Sequence, residues 1–359
     1  MIKPKSHIAA MQGFALADLS APPGTRVVSL AQNESAFAPS PAAIEAARAS
    51  FCNAQLYPDP DWADLRRAIA ERHRVDPDWL LCSAGSMDLI SALIMSFAGP
   101  GDHVLSTTHG YGYFAASAAF VGAVYKAAPE AELTVDVDAL LSAILPETRL
   151  VCVANPGNPT GTRIPRSEIL RLREGMPESV MLLIDEAYAE FTDHLGEQMF
   201  DLVDRGDTVV TRSFSKAHAL AGMRVGWGVF PPGIRDHARK LLTAGGVTVG
   251  SLAAAAASMR DPQHVAETVR KTSEIRDVFI AKVNALGVKC APSHTNFALL
   301  QFADVAERES ADAALRQRGF ILRPMGGYGL PHCLRATIAT SDVMEEAVSI
   351  LSGRRDSPG

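Results

Sequence analysis

The sequence predicts an α/β fold: a large domain built on a mostly parallel, buried sheet, with a smaller α+β domain beside it. Three observations carry this prediction. Between residues 80 and 230, short apolar runs alternate with stretches of helical periodicity. Several of those runs are apolar on both faces, as strands covered by helices on either side must be. Beyond about residue 250 the alternation stops, and a long helical stretch leads into a few strands. The 359-residue chain is also 47% hydrophobic and 21% charged, which suits two packed cores and excludes a disordered chain.

Residues 1 to about 40, rich in Pro, Ala and Ser, read as irregular. Their start, "MIKPKSHIAAMQGFALADLS", lacks the apolar core and cleavage site of a secretory signal. A helix is predicted from Pro41, whose fixed φ suits a first helical position, through "PAAIEAARAS". A second amphipathic helix covers 62–74. "HVLSTT", "AVYKAA", "LVCVAN", "VMLLIDE", "DTVVTRS" and "GWGVF" read as the strands of the large sheet. Residues 251–287 read as one long helical stretch, Ala-rich and then charged. "NFALLQF", "GFILRPM" and "CLRATIAT" suggest a small sheet covered by a helix at 308–318, and the tail "GRRDSPG" is expected to fray. The large domain is placed at 41–245, and residues 1–40 and 246–359 form the small one.

Composition excludes several function classes. The net charge is −6 with no run of Lys or Arg, which disfavours nucleic acid and anionic membrane as partners. "LISALIMSFAG", the longest apolar stretch, is too short to span a bilayer. Five scattered cysteines without a C-x-x-C pair read as reduced core thiols of a cytoplasmic protein. No histidine pair has metal-ligand spacing, so no metal site is predicted, and His218 reads as structural.

Chemistry is expected beyond the carboxyl ends of the strands. One strand runs into "NPGNPTG", an Asn-, Pro- and Gly-rich loop holding Asn158. The next ends on Asp185, with Tyr188 three residues on. A third leads into "RSFSKAHALAGMRVGW", carrying Ser213, Ser215, Lys216 and Arg224. In "SAGSMDLI", Gly85, Ser86 and Met87 open a helix whose free N–H groups suit an anion.

These segments resemble the fold-type I pyridoxal-phosphate aminotransferases over nearly the whole chain, and most closely the histidinol-phosphate aminotransferase branch. "QNESAFAPSP", "LYPDP", "AGSMDLI", "NPGNPTG", the lysine segment and "CLRATIAT" follow in the family's order. The resemblance implies a large domain with a sheet of the seven-stranded type and pyridoxal 5′-phosphate held on Lys216 as a Schiff base. Lys216 would then move the proton between Cα and C4′, and a lowered pKa would suit it to both tasks. Asp185 would pair with the pyridinium nitrogen. Asn158 and Tyr188 would hydrogen-bond the ring's phenolic oxygen, and Tyr111 would stack on the ring. Ser213, Ser215 and Arg224, with the Gly85–Met87 turn, would hold the phosphate. Tyr57 would reach the phosphate from the other subunit of a homodimer with shared active sites. Arg335 would clamp the substrate's α-carboxylate bidentately, and Arg323 a distal anion.

The chain departs from that branch on the substrate side. Arg323 is followed by Pro, "LLTAGGVTVG" replaces a segment with an aromatic and an asparagine, and Phe14 alone stands near the N-terminal aromatic position. The expected function is amino-group exchange between an L-amino acid, histidinol phosphate-like or other, and a 2-oxo acid such as 2-oxoglutarate. The alternatives are a decarboxylase or lyase of the same branch, or a non-catalytic small-molecule-binding α/β protein. An intact Lys216 and Asp185 weigh against the last, since binding alone needs no such lysine.

Overall fold

The Val-, Leu- and Ile-rich runs between 80 and 229 pair into a seven-stranded sheet. In spatial order the strands are Leu80–Ser83, Gly226–Val229, Thr208–Ser213, Met181–Asp185, Thr148–Ala154, His103–Thr107 and Val124–Ala128. Gly226–Val229 runs antiparallel to both its neighbours, and the remaining ladders are parallel. The computed structural model describes residues 2–11 and 18–353, so the expected fraying of the tail beyond Gly353 and the position of Phe14 lie outside the described residues. Every residue of Met181–Asp185 and of Thr208–Ser213 is buried, because helices pack on both faces of these strands.

A second sheet of five strands has the order Val28–Leu30, Phe320–Met325, Leu330–Thr337, Phe297–Gln301 and Lys289–Cys290. Val28–Leu30 is parallel to Phe320–Met325, and the others are antiparallel. Helices Pro262–Ala285, Val305–Gln317 and Ser341–Gly353 share its hydrophobic core.

The structure corrects several expectations. Residues 1–40 are not wholly irregular: Ser6–Ala10 is a short helix, and Val28–Leu30 adds a strand to the small sheet. The strand Leu80–Ser83 was not foreseen; four residues are too few to show a period. The stretch 251–287 is two helices, Val249–Met259 and Pro262–Ala285. The break falls where Pro262 cannot donate to the preceding turn and the Asp261 side chain caps the new helix at His264 N. Of the cysteines, Cys52 is exposed and not a core thiol. Among the described residues, no helix is long and apolar enough to cross a membrane.

Candidate active site

The parallel strands bring Thr107, Ala154, Asp185 and Ser213 to one edge of the large sheet. The loop after Ala154 is fixed from within. Asn155 exchanges hydrogen bonds with the backbone of Ile164, Nδ2 donating and Oδ1 accepting, both at 3.0 Å. Gly157 N–H donates to Thr162 O and Gly161 N–H to Gly157 O. This holds Asn158 over the sheet edge. The strand below the lysine is anchored by Arg212, which is 1% exposed. Its Nε donates to Glu186 at 2.8 Å, and its two terminal nitrogens take both oxygens of Asp193 at 3.1 and 3.0 Å. A buried bond to Glu186 and a bidentate one to the part-buried Asp193 fix the strand end from which the next loop departs.

Past Ser213 the chain forms an anion cradle. Ser213 and Ser215 are nearly buried, and Ser215 N–H donates to Ser213 Oγ at 3.1 Å. Gly226, opposite Ser213 in register, presses against the start of the helix Ser86–Phe97; a Cβ there would collide with Ser86 N. Gly85, at φ +99, precedes that helix, and a Cβ on it would sit 2.5 Å from the Arg224 guanidinium. A helix start, two serines and a guanidinium thus line one cavity, the equipment of an anion site.

Lys216 and Asp185 line the same cavity as this cradle. Burial, and then the Arg335 and Arg224 guanidinium groups, push the Lys216 ammonium down to about 7 against the pull of Glu34 and Asp185. Burial likewise pushes Asp185 up to about 7, although the Thr211 hydroxyl, 3.2 Å away, donates to its Oδ1. A fully buried carboxylate with so few donors favours a cationic partner or a proton. Burial also raises Tyr188 to about 12, against the influence of Arg335 and the Asn33 amide, so this hydroxyl keeps its proton at neutral pH.

The small sheet closes the cavity with two arginines. Arg335 is 6% exposed; one terminal nitrogen donates to Asn158 Oδ1 at 2.5 Å, the other to Ala31 O at 2.9 Å, and its Nε is buried without a partner. Burial lowers its pKa, and Arg323 adds to that effect. Arg323 and Arg335 are direct cross-strand partners. Like charges in that relation repel, and an anion between or beside them relieves the repulsion.

The cavity therefore gathers Ser86, Met87, Tyr111, Asn158, Asp185 and Tyr188 with Ser213, Ser215, Lys216, Arg224, Arg323 and Arg335. Gly85 sits beside them, against the Arg224 guanidinium. Tyr57 does not join them: it is 97% exposed, and this chain does not bring it to its own cavity. His218 is buried, with Nδ1 against Ser258 Oγ at 2.8 Å. Sequence reasoning missed Asn33, Tyr328 and Thr211. Tyr328 sits in "MGGYGL", between the strands Phe320–Met325 and Leu330–Thr337, and an aromatic between glycines was the available signal. The hairpin lines the cavity and is latched by His109 Nδ1 on Tyr328 O at 2.7 Å.

These residues fit pyridoxal phosphate. The cradle around Gly85 and Gly226 suits its phosphate, Asp185 a protonated ring nitrogen, Tyr111 its ring, and the Lys216 amine its carbonyl carbon.

A family model described as "Aminotransferase class I and II" matches residues 25–351. The chain is 42% identical to a histidinol-phosphate aminotransferase of Rhodospirillum centenum over 335 residues, covering 92% of each chain. It is 40% identical to that of Ruegeria pomeroyi over 312 residues, covering 87% of this chain and 86% of the relative. The structure is similar to the histidinol-phosphate aminotransferase of Sinorhizobium meliloti in complex with pyridoxal-5′-phosphate, with a TM-score of 0.87 at 26% identity, covering 92% of this chain and 91% of that one.

Proposed function

The chain belongs to the class I and II aminotransferases, and on that premise we propose how its own residues divide the work. It is a pyridoxal-phosphate-dependent enzyme that moves an amino group between an L-amino acid and a 2-oxo acid. When bound, pyridoxal phosphate supplies an electron sink for the negative charge left at Cα when its proton is removed. Lys216 would hold the cofactor through its Nζ, and the same amine in its neutral form would take the proton from the donor's Cα. The observation that carries this reading is the buried cavity in which the Lys216 amine, pushed down to about 7, shares its walls with Asp185 and the anion cradle. An amine near that value has a neutral fraction able to accept a proton at physiological pH. Asp185 would hold a proton on the ring nitrogen through charge. Tyr188 and Asn158 would orient the ring's oxygen, Tyr111 would support its face, and Ser213, Ser215, Arg224 and the Gly85–Met87 turn would bind its phosphate.

Arg335 binds the α-carboxylate, and Arg323, its cross-strand neighbour, binds an anion at the far end of the amino donor. Together with the histidinol-phosphate aminotransferases among its relatives, this favours a phosphorylated donor such as histidinol phosphate, with 2-oxoglutarate as acceptor. Residues 41–245 hold the cofactor, while 1–40 and 246–359 supply the clamp on the substrate. The active form is a homodimer in which Tyr57 completes the partner's phosphate site. What supports this is the run of exposed apolar side chains at Phe51, Leu56 and Tyr57, at 63, 61 and 97% exposure.

One experiment tests these assignments. The purified enzyme is trapped with borohydride and the adduct mapped, and a panel of amino donors is followed by conversion of the cofactor's absorbance to that of its amine form. The adduct is expected on Lys216, with histidinol phosphate among the best donors. Arg323→Ala should lose about tenfold more activity on phosphorylated than on neutral donors, the effect of removing one charge-assisted contact. An adduct on another lysine refutes the central assignment. Equal losses on all donors make Arg323 structural, and carbon dioxide release places the enzyme with decarboxylating relatives.

A further inference from the structure

We propose that Asn33 is a positioning residue of this site: its left-handed backbone aims its carbonyl oxygen at the Lys216 amine while its side-chain amide fixes the Tyr188 hydroxyl. Asn33 is 2% exposed and adopts φ 54, a conformation that asparagine tolerates better than other residues with a Cβ. Its hydrogen bonds run to three separate parts of the molecule. Its N–H donates to Thr337 Oγ1 at 2.9 Å, and the Thr337 hydroxyl lies 3.4 Å from its Oδ1, which accepts. Its Nδ2 donates to Tyr188 Oη at 2.8 Å. Its carbonyl accepts from Lys216 Nζ at 2.9 Å and from Asn296 Nδ2 at 3.1 Å.

Two consequences follow from the directions of these bonds. Because the Tyr188 oxygen accepts from Asn33, the Tyr188 proton is left to donate elsewhere, and Tyr188 lines the cavity. Tyr188 is also held from the other side by Phe297, edge-on at 5.3 Å between ring centroids. The charged and titratable groups acting on the Lys216 amine are Arg335, Arg224, Glu34 and Asp185, and the Tyr188 ring lies 5.7 Å from Nζ. Among these groups the Asn33 carbonyl is a neutral acceptor that fixes where the amine rests without neutralising it. Thr337 and Asn296 belong to the small-sheet side of the molecule and Lys216 and Tyr188 to the large-sheet side, so Asn33 sets the lysine's resting place relative to both.

The inference rests on Lys216 and Tyr188 acting as proposed above, and its test separates the two. The apoprotein is acetylated with acetic anhydride across a pH series, and modification of Lys216 is read by peptide mass spectrometry. The cofactor-loaded enzyme is assayed alongside, with circular dichroism as the folding control. Asn33→Gly keeps the left-handed backbone and the carbonyl but deletes the amide. Its Lys216 labelling midpoint should overlay that of the unaltered chain, while kcat falls about tenfold or more with little change in KM, as misorientation of a reacting group requires. Asn33→Val strains the backbone, since a β-branched residue resists positive φ. Its labelling midpoint should shift to lower pH, because losing an acceptor disfavours the ammonium more than the amine.

Asn33→Asp keeps the size and the backbone and makes Tyr188 the donor, and kcat should fall as for glycine. The proposal is overturned if the labelling midpoint is unmoved in a folded Asn33→Val chain. It is equally overturned if kcat of both Asn33→Gly and Asn33→Asp stays within about twofold of the unaltered enzyme; those two variants decide if Asn33→Val does not fold. A borohydride adduct on Lys216 together with either outcome sinks this inference alone, whereas an adduct elsewhere sinks the assignment of Lys216 itself.

Discussion

Asp185 and Lys216 are pushed toward the same pH from opposite ends of the scale, both chiefly by burial. In the apoprotein each costs stability in its own window. Asp185, raised from 3.8 to about 7, contributes stability that is full below pH 3.8 and lost as pH rises through 7. Lys216, lowered from 10.5 to about 7, contributes stability that is full above pH 10.5 and lost as pH falls through 7. Asp185→Asn should therefore stabilise the apoprotein above pH 7 by up to about 4 kcal/mol and leave it unchanged near pH 4. Thermal melts of the apoprotein across pH check this; a pH-independent gain would mean that packing, not ionisation, is responsible. With pyridoxal phosphate bound the order should invert, because asparagine cannot pair with the ring nitrogen. Both residues were legible in the sequence, since each falls at or just past the end of an apolar run. Asn33 was not, because its partner Lys216 stands 183 positions away and only the folded chain brings them together.

The anion cradle is a property of elements packed against each other. The strand Gly226–Val229 lies so close to the start of the helix Ser86–Phe97 that no side chain fits between them. Glycine at 226 is what lets the helix start approach Ser213 and Arg224. Gly226→Ala should push the two apart, lowering Tm and weakening cofactor binding by about tenfold, in keeping with the 1–3 kcal/mol cost of overpacking. Gly222→Ala, where a Cβ would meet nothing, serves as the control in the same melts and cofactor titrations. Equal behaviour of the two would show that the contact relaxes freely. The helix and the lysine segment were readable from apolar periodicity and from the Gly-Ser start. Their contact was not, because Leu80–Ser83 went unread and its neighbour's antiparallel direction carries no local signal. The break at Pro262 was written in the sequence as an Asp-Pro pair, but the apolar spacing on either side masks it.

At the scale of the whole molecule, two sheets meet over one cavity, and the halves contribute different chemistry. The large sheet supplies Lys216, Asp185 and the anion cradle; the small sheet and its N-terminal strand segment supply Asn33, Arg323 and Arg335. That division was foreseeable from the change of pattern near residue 250, whereas the strand that residues 28–30 lend to the small sheet was not. One group expected at the phosphate is missing from this arrangement: Tyr57, fully outside its own chain's cavity and next to exposed Leu56 and Phe51. A second copy of the chain would cover that apolar run and could carry Tyr57 to the neighbouring cradle, making each site a joint product of two chains. Mixing tests this directly. A Lys216→Ala chain has an intact Tyr57, and a Tyr57→Ala chain has an intact Lys216, so a mixed dimer contains one complete site out of two. Random exchange of equal amounts makes half of the dimers mixed, so activity should recover to roughly a quarter of the unaltered enzyme's. The measurement is turnover after co-refolding the two variants, with light scattering to establish the dimer. A monomer in solution, or a mixture no more active than its parts when Tyr57→Ala alone is inactive, would leave Tyr57 as a surface residue and the phosphate to the groups of a single chain.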